Sequence, residues 1–465
     1  MSIAATDVPG VNATSDSAPL RFVTAASLFD GHDAAINIMR RLIQAQGVEV
    51  IHLGHNRSVD DIVRAAIQED ADGIAISSYQ GGHMEFFCYM IDRLRELGAG
   101  HIRVFGGGGG TITPEEIKGL MDYGVERIYH PHDGMELGLE AMIQDLIERT
   151  IAARRPTTPP VGAETAVDIA AMISAIEEGA FDEGQLAILR KEWQMQSGVV
   201  PVVGITGTGG SGKSSVTDEL LNRFLASFPA MNIAVLAVDP TRRRTGGALL
   251  GDRIRMNSLR SERIYMRSIA TRRQHLATSE MLSDHIAWLK SQGFDLVIVE
   301  TAGIGQSDSE IVDMVDYSIY VMTSEYGAAS QLEKIDMLDF ADLIVLNKYD
   351  KRGAEDALRD IRKQWKRNHV AFDVADDDVP VFPTIASQFN DPGISWMFAE
   401  LCRRVAAKLD LDQAQWAPDI DTSIREPRST AMIPGARIRY LAEIAEQGRA
   451  VNGRADRQAA TARLA

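Results

Sequence analysis

Residues 201–220 read PVVGITGTGGSGKSSVTDEL. An apolar run ends in GTGGSGKS, Gly207 to Ser214, and a helical pattern, SSVTDELLNRFLA, takes over at once. The spacing G-x-x-x-x-G-K-S between a strand and a helix is the context that a phosphate-binding loop requires. Glycines at 207, 209, 210 and 212 let the backbone N–H groups around Ser211 turn inward at the positive end of a helix. Lys213 is placed to reach β- and γ-phosphates, the Ser214 hydroxyl to bind magnesium, and Ser215 to follow it in the first helical turn.

Working outward, strand and helix patterns alternate from 200 to about 410, the mark of a parallel α/β sheet. One of these strands, ADLIVLNK, runs into Asn347-Lys348-Tyr349-Asp350. A carboxylate at Asp350 accepts from both N1–H and the 2-amino group of guanine. Adenine offers neither donor and leaves Asp350 unpaired, at a cost of roughly 1–3 kcal/mol. GTP is therefore the expected nucleotide and substrate. Magnesium prefers one or two carboxylates with phosphate and water. FDLVIVE ends in Glu300-Thr301-Ala302-Gly303, an E-T-x-G where a γ-phosphate sensor usually reads D-x-x-G. MNIAVLAVD ends at Asp239 and GGALLGD at Asp252. Asp252, Glu300 and Thr301 with Ser214 are the expected magnesium site, with Asp239 a helper or a second site. TGGALLG, residues 245–251, reads as a switch loop ordered by nucleotide. Arg242 to Arg244 and Arg253 read as phosphate or partner contacts, or as plain surface charge; Arg255 is assigned to phosphate. Gln306 is the candidate for positioning the hydrolytic water, so Lys213, Glu300 and Gln306 form the catalytic set.

Upstream, residues 20–153 carry five short apolar runs, RFVTAAS, VEVIHLG, DGIAISS, IRVFGG and VERIYH, separated by amphipathic stretches. This predicts a second doubly wound parallel sheet, with ligands at the carboxyl ends of its strands. At those ends lie Asp30-Gly31-His32, Ser77-Ser78 and the five glycines Gly106–Gly110. Taken alone, Asp30 and His32 make an ordinary polar turn. His52, His55 and His83 read as loop or packing residues. RRPTTPPVGAE, 154–164, is a hinge, and two helical periods extend the connector to 199. Residues 1–19 read as a disordered leader, and 411–465 as a linker and one helix leading into a polar end.

Bulk composition fits two or three soluble domains in 465 residues, with 45% hydrophobic and 24% charged residues. Lys plus Arg number 48 against 65 for Asp plus Glu, a net charge of −17, which disfavours nucleic acid and anionic membranes. Only Cys88 and Cys402 occur, so no disulfide framework or cysteine-built zinc site is expected and a cytoplasmic location is. No apolar run approaches the ~18 residues of a membrane span.

GTGGSGKSS, AVDPTRRRTGGALLGDRIRM, VIVETAGIGQSD and VLNKYD together resemble the metallochaperone branch of P-loop GTPases, in particular the chaperones of adenosylcobalamin-dependent mutases. In that family a mobile segment after the E-T-x-G loop signals to the mutase. Here TSEYGAASQLEKIDML, with Gln331 and Lys334, takes its place, or is simply an amphipathic helix before a strand. The Asp30–His32 stretch, Ser77 and the glycine run resemble the D-x-H-x-x-G, S-x-L and G-G signature of flavodoxin-like cobalamin domains. That resemblance makes His32 the lower axial ligand of cobalt, with Asp30 fixing its tautomer. It gives Ser77 the displaced nucleotide base, and Gly106 and Gly107 the slot for the nucleotide tail. Two positions depart from the signature: Ala35 stands for glycine and Tyr79 for leucine, and Tyr79 is expected to narrow the slot.

The order of cobalamin domain, connector and GTPase resembles the fused isobutyryl-CoA mutase family over nearly the whole chain. It implies adenosylcobalamin and Mg2+ as cofactors, a homodimer, and a substrate-binding barrel as partner that is not expected within these 465 residues. GTPase activity, and no mutase activity of its own, is then expected. Alternatives are a cobalamin-responsive GTPase regulator, and a nickel-delivery GTPase, which the lack of a His- or Cys-rich tract disfavours.

Overall fold

The computed structural model describes residues 18–28, 30–160, 162–240, 247–271, 275–301, 310–326, 332–428 and 440–464. Residues 1–17 of the expected leader, Arg242 to Arg244, Gln306 and Gln331 lie outside them.

Among the described residues every strand pair is parallel. The first sheet holds β1 (Arg21–Ser27), β2 (Glu49–Arg57), β3 (Gly73–Ser77), β4 (Arg103–Gly107) and β5 (Arg127–Tyr129). Their order is β5-β4-β3-β1-β2. Helices α1 (Asp33–Ala45), α2 (Val59–Gln68), α3 (His83–Glu96), α4 (Pro114–Tyr123), α5 (Pro131–Glu136) and α6 (Leu139–Ala153) cover its two faces. β1 is buried throughout, because a parallel strand flanked on both faces has no wet side. Chain order reverses between β1 and β3, so the loops after them part and open a crevice.

The connector is two helices, α7 (Ala166–Glu177) and α8 (Glu183–Gln196). Capping boxes at Thr165 with Asp168 and at Asp182 with Gln185 start both. The second sheet begins with β6 (Val202–Gly207), leads through α9 (Lys213–Ser227) to β7 (Ile233–Pro240), and continues with β9 (Ile264–Thr271), α10 (His275–Ser291), β10 (Leu296–Thr301), β11 (Tyr317–Met322), β12 (Leu343–Asn347) and β13 (Val381–Thr384). Its order is β13-β12-β11-β6-β10-β7-β9. Helices Ala354–Asn368 and Pro392–Lys408 complete its cover, and Tyr440–Leu464 is one continuous helix, where the sequence predicted a helix giving way to a polar end. Among the described residues no helix is long and apolar enough to cross a membrane.

The first sheet has a sixth strand that sequence periodicity does not predict. β8 (Leu249–Leu250) comes from the expected switch loop and pairs with Val50 and Ile51 at the β2 edge. Ala248 and Leu250 are fully buried in the cluster of Val23, Ile51 and Ile74. Burial of one leucine is worth about 1.5–3 kcal/mol, so this part of the loop is a docked element.

The sheets also meet through buried charge. The Arg253 guanidinium lies 2.6 Å from Glu69, with side chains 4% and 0% exposed. Arg21 pairs with Glu49 at 2.7 Å, and Glu177 takes both Arg21 and Arg267. Burial opposes the charge on Arg21, but Glu177, Glu49 and Glu69 outweigh it and hold its pKa above the ordinary value. Arg253 thus reaches the other domain, and is neither a phosphate contact nor a surface charge.

His285 of α10 is fully buried beside this network. Burial pushes its imidazole down to about 4, with Glu177 opposing and Arg267 assisting. The unfolded chain, near 6.5, then binds the proton more readily than the folded one. Stability from the neutral ring is complete above pH 6.5 and is lost as pH falls towards 4, on the order of 3 kcal/mol in all. Denaturant midpoints should drop across that window. In His285→Leu the drop should shrink by about that amount, and an unchanged slope would refute the assignment.

Candidate functional site

At the crevice of the first sheet, the chain turns after β1 with Asp30 N–H donating to Ser27 O at 3.0 Å. Asp30 is fully buried. Its Oδ1 accepts the His32 backbone N–H at 2.9 Å and lies 2.8 Å from His32 Nδ1. Its Oδ2 accepts the Tyr79 N–H at 2.7 Å, from the loop after β3. Burial raises the Asp30 pKa, but the bonds from His32 and Tyr79 outweigh it and hold it below the usual carboxylate value. An ionised carboxylate only accepts, so Nδ1 carries the ring proton and Nε2 keeps a lone pair. The His32 side chain is 62% exposed.

Beside this turn is a cavity of about 310 Å³, lined by Ala35, Ser77, Tyr79, Phe105, Tyr129 and the backbone of Gly106–Gly109, among others. Ser77 Oγ is buried there with no hydrogen-bond partner, a donor and acceptor left for a ligand. The glycines divide by pleat. A Cβ on Gly106 would meet Phe87 and Ile128 at 2.5–2.6 Å, on the α3 side. Gly106 therefore lets α3 approach β4 and gives the cavity only backbone, which corrects the expectation that its missing side chain opens the slot. Gly107 has only the Tyr129 carbonyl, at 3.4 Å, in front of its Cβ direction. Gly109, at φ +49°, is covered by the Tyr79 ring, 2.0 Å from where a Cβ would lie. The same ring stands 5.5 Å from that of His32, so Tyr79 packs across the glycine loop beside the histidine.

In the second sheet β6 sits between β10 and β11, and the loop after it runs to the N-terminus of α9. Gly207 (φ +146°), Gly210 (+75°) and Gly212 (+93°) take backbone angles that side chains disfavour. Gly207 also passes the Val321 carbonyl so closely that a Cβ would lie 2.0 Å from it. Gly209 and Gly210 form the exposed tip. Lys213 Nζ donates to the carbonyl of Gly207 at 2.9 Å. Ser214 Oγ donates to Glu300 Oε1 and Thr217 Oγ1 to Glu300 Oε2, both at 2.8 Å. Glu300 thus stands behind Ser214, holding its hydrogen while the hydroxyl oxygen keeps its lone pairs. The hydroxyls of Thr208, Ser211 and Thr301 are buried without partners, as oxygens facing a phosphate and a cation would be. Ser215 is half-buried in the first turn of α9. Register sets Val238 opposite Thr301, which places Asp239 at the neighbouring strand end. Asp252 opens a 3-10 turn that ends in Arg255, which is exposed.

Asn347 Nδ2 donates to Ser211 O at 2.8 Å. Its Oδ1 accepts from Ala386 N at 3.0 Å and Thr384 Oγ1 at 3.2 Å. Lys348, at φ +59°, reaches the Gly210 carbonyl at 2.7 Å. Asp350 is exposed beyond them. Sequence reasoning missed Thr217, whose signal is a hydroxyl three residues after Ser214 on one helix, and the 384–386 stretch, which holds Asn347 through the Thr384 hydroxyl and the Ala386 backbone N–H. Asn347→Ala orphans the buried Ser211 carbonyl and Ala386 N–H. It should destabilise the fold by about 2–3 kcal/mol in denaturant unfolding; a loss under 0.5 kcal/mol would show that these bonds do not hold the loop.

Comparison with known proteins agrees with this division. The model for the B12 binding domain matches residues 20–128, and that for "Methylmalonyl Co-A mutase-associated GTPase MeaB" matches 169–464. A fused isobutyryl-CoA mutase of Geobacillus kaustophilus is 52% identical over 96% of this chain and 41% of its own length. One of Cupriavidus metallidurans is 52% identical over 99% of this chain and 42% of its own. The chain thus spans about two fifths of the length of these relatives. A LAO/AO transport system kinase structure overlays with a TM-score of 0.37 at 22% identity, covering 55% of this chain and 82% of its own. The GTPase model alone accounts for more than half of the residues, and the chain belongs to the family of methylmalonyl-CoA mutase-associated GTPases of the MeaB type, here preceded by a B12 binding domain.

Proposed function

We propose that the chain holds adenosylcobalamin with His32 on cobalt, hydrolyses GTP with magnesium at the phosphate loop, and forms the cofactor-holding and gating part of an acyl-CoA carbon-skeleton mutase. The observation that carries this reading is the Asp30 carboxylate, buried, ionised and aimed at Nδ1, which leaves Nε2 of an exposed imidazole as a metal donor beside the glycine-floored cavity. Ser77 Oγ then takes the displaced base, and Gly107 leaves room for the nucleotide tail. When bound, adenosylcobalamin supplies homolytic radical chemistry for the rearrangement.

At the second site the glycine loop wraps the phosphates, Lys213 leaves its carbonyls for the β- and γ-oxygens, and Ser214 offers its oxygen to magnesium. Glu300 orients that hydroxyl, while Asp252, Thr301 and Asp239 complete the ion's surroundings. Asp350 reads guanine, Asn347 and Lys348 fix the loop against the base side, and Arg255 takes a phosphate oxygen. Gln306 orients the attacking water. Isomerisation of isobutyryl-CoA and n-butyryl-CoA needs a substrate barrel, and the likeness to fused isobutyryl-CoA mutases supports that partner; the proposal also takes the chain to act as a homodimer in the cytoplasm.

His32→Ala should leave the cofactor's own base on cobalt. With the protein labelled in 15N and the cofactor in natural abundance, electron paramagnetic resonance of the reduced holoprotein should show 15N splitting in the parent and 14N splitting in the variant; 15N splitting retained in the variant would exclude His32. Lys213→Ala should lower GTP turnover by at least a hundredfold and Gln306→Ala by at least tenfold, measured as phosphate release. Unchanged turnover in either removes that residue from the mechanism.

A further inference from the structure

Resting on that reading, we infer that residues 247–260 form a strap that couples the two sites: it ties the nucleotide's metal end to the helix presenting His32, with Arg253 as its positioning residue. The segment is fastened to the cobalamin domain along its length. Gly247 lies against the end of α1, where a Cβ would come within 2.4 Å of Gln44 O and 2.8 Å of Val48 O. Val50 N–H donates to Ala248 O at 2.9 Å, and β8 then pairs with β2. Arg253 bonds Glu69 at 2.6 Å and Gln68 at 2.9 Å, both at the end of α2. The Ile254 side chain fits under Gly54, where a Cβ would leave 2.8 Å. Arg64 donates to the Arg260 carbonyl at 2.8 Å.

The other side of the strap belongs to the nucleotide domain. Ser258 N–H donates to Asp218 Oδ1 at 2.9 Å, one turn along α9 from Ser214. Met256 is buried in the core with Val216 and Leu220. Asp252, the proposed magnesium ligand, lies between β8 and Arg253 in the chain, so an ion that draws on Asp252 pulls on a segment fixed to β2 and α2. From Gly247 the path to the histidine is α1 itself, 13 residues and about 20 Å long, which starts one residue after His32. A linkage of this kind is reciprocal: what nucleotide does to cobalamin affinity, cobalamin does to nucleotide affinity by the same factor.

The test uses the full chain. The affinity of a non-hydrolysable GTP analogue with Mg2+ is measured by calorimetry, with and without saturating adenosylcobalamin. In the parent the two values should differ at least fivefold. Gly247→Ala pushes the strap off α1, and the pair Glu69→Gln with Arg253→Met removes both charges together, so neither is stranded. In both the difference should fall below twofold while circular dichroism and thermal unfolding stay native-like. If the pair fails to fold, Arg64→Ala, which removes only the bonds from the surface of α2 to the Leu259 and Arg260 carbonyls of the strap, takes its place and should at least halve the ratio. Folded variants that keep the parent ratio overturn the inference. A parent that binds both ligands without mutual effect also overturns it and leaves the functional reading standing; a parent that binds neither overturns both.

Discussion

The carboxylate of Glu69, at the end of α2, is fully buried and accepts from Arg253 at 2.6 Å and from the Ser268 backbone and hydroxyl at 2.9–3.2 Å. Around it the interface encloses Arg21, Arg253 and Arg267 against Glu49, Glu69 and Glu177, each at most 5% exposed. Taking such ions out of water costs several kcal/mol apiece, and their attraction recovers it only in good geometry. The cluster is therefore a poor source of net stability and a strict arbiter of fit. A docking displaced by a few ångströms strands charges of both signs, whereas apolar contacts such as Leu250 on Ile51 tolerate small slides. The apolar surface supplies adhesion, and the ions choose one arrangement.

The same economy of close approach shapes both ligand sites. Gly207 and Gly108 each pass a neighbouring backbone carbonyl where a Cβ would leave 2.0 Å, at Val321 O in β11 and at Ser78 O just beyond β3. Neither glycine needs a ligand to explain it. Backbone is drawn against backbone at the sheet's carboxyl end, and the loop beyond is left with N–H groups and a cavity to offer. A glycine-rich stretch is thus first a packing device, and its capacity to receive phosphate or a nucleotide tail follows from that.

Much of this was legible in the sequence, for identifiable reasons. Nine of the strands are apolar runs read directly from the sequence between helical periods, and the phosphate loop and Asn347–Asp350 have motif spacings that follow strands. Asp30 and His32 taken alone read as a polar turn, and their pairing was legible only through the resemblance to cobalamin domains; the hydrogen bond itself is local, two residues apart. β8 was not, since two residues carry no periodicity and its partner β2 lies about 200 positions away in the chain. Arg253 looked like its exposed neighbour Arg255, because burial is decided by what packs against a side chain. The direction of Gly106 needed the pleat of β4 and the position of Phe87, neither of which a run of five glycines reveals.

These distances in the chain separate two properties of His32. Its tautomer is set by Asp30, whose partners are His32 itself and the N–H of Tyr79, all inside the first sheet's crevice. Among the described residues, nothing from the second sheet takes part in that hydrogen bonding. The far end of α1, by contrast, abuts Gly247, a residue of the nucleotide domain's own segment. In the proposed coupling, a movement of that segment would displace the helix as a rod, because its backbone hydrogen bonds hold it as one unit. The imidazole would then shift relative to the cavity while its proton stays on Nδ1. In the proposed coupling, the tautomer of His32 stays local to the first sheet, and the position of its ring is shared between the two halves.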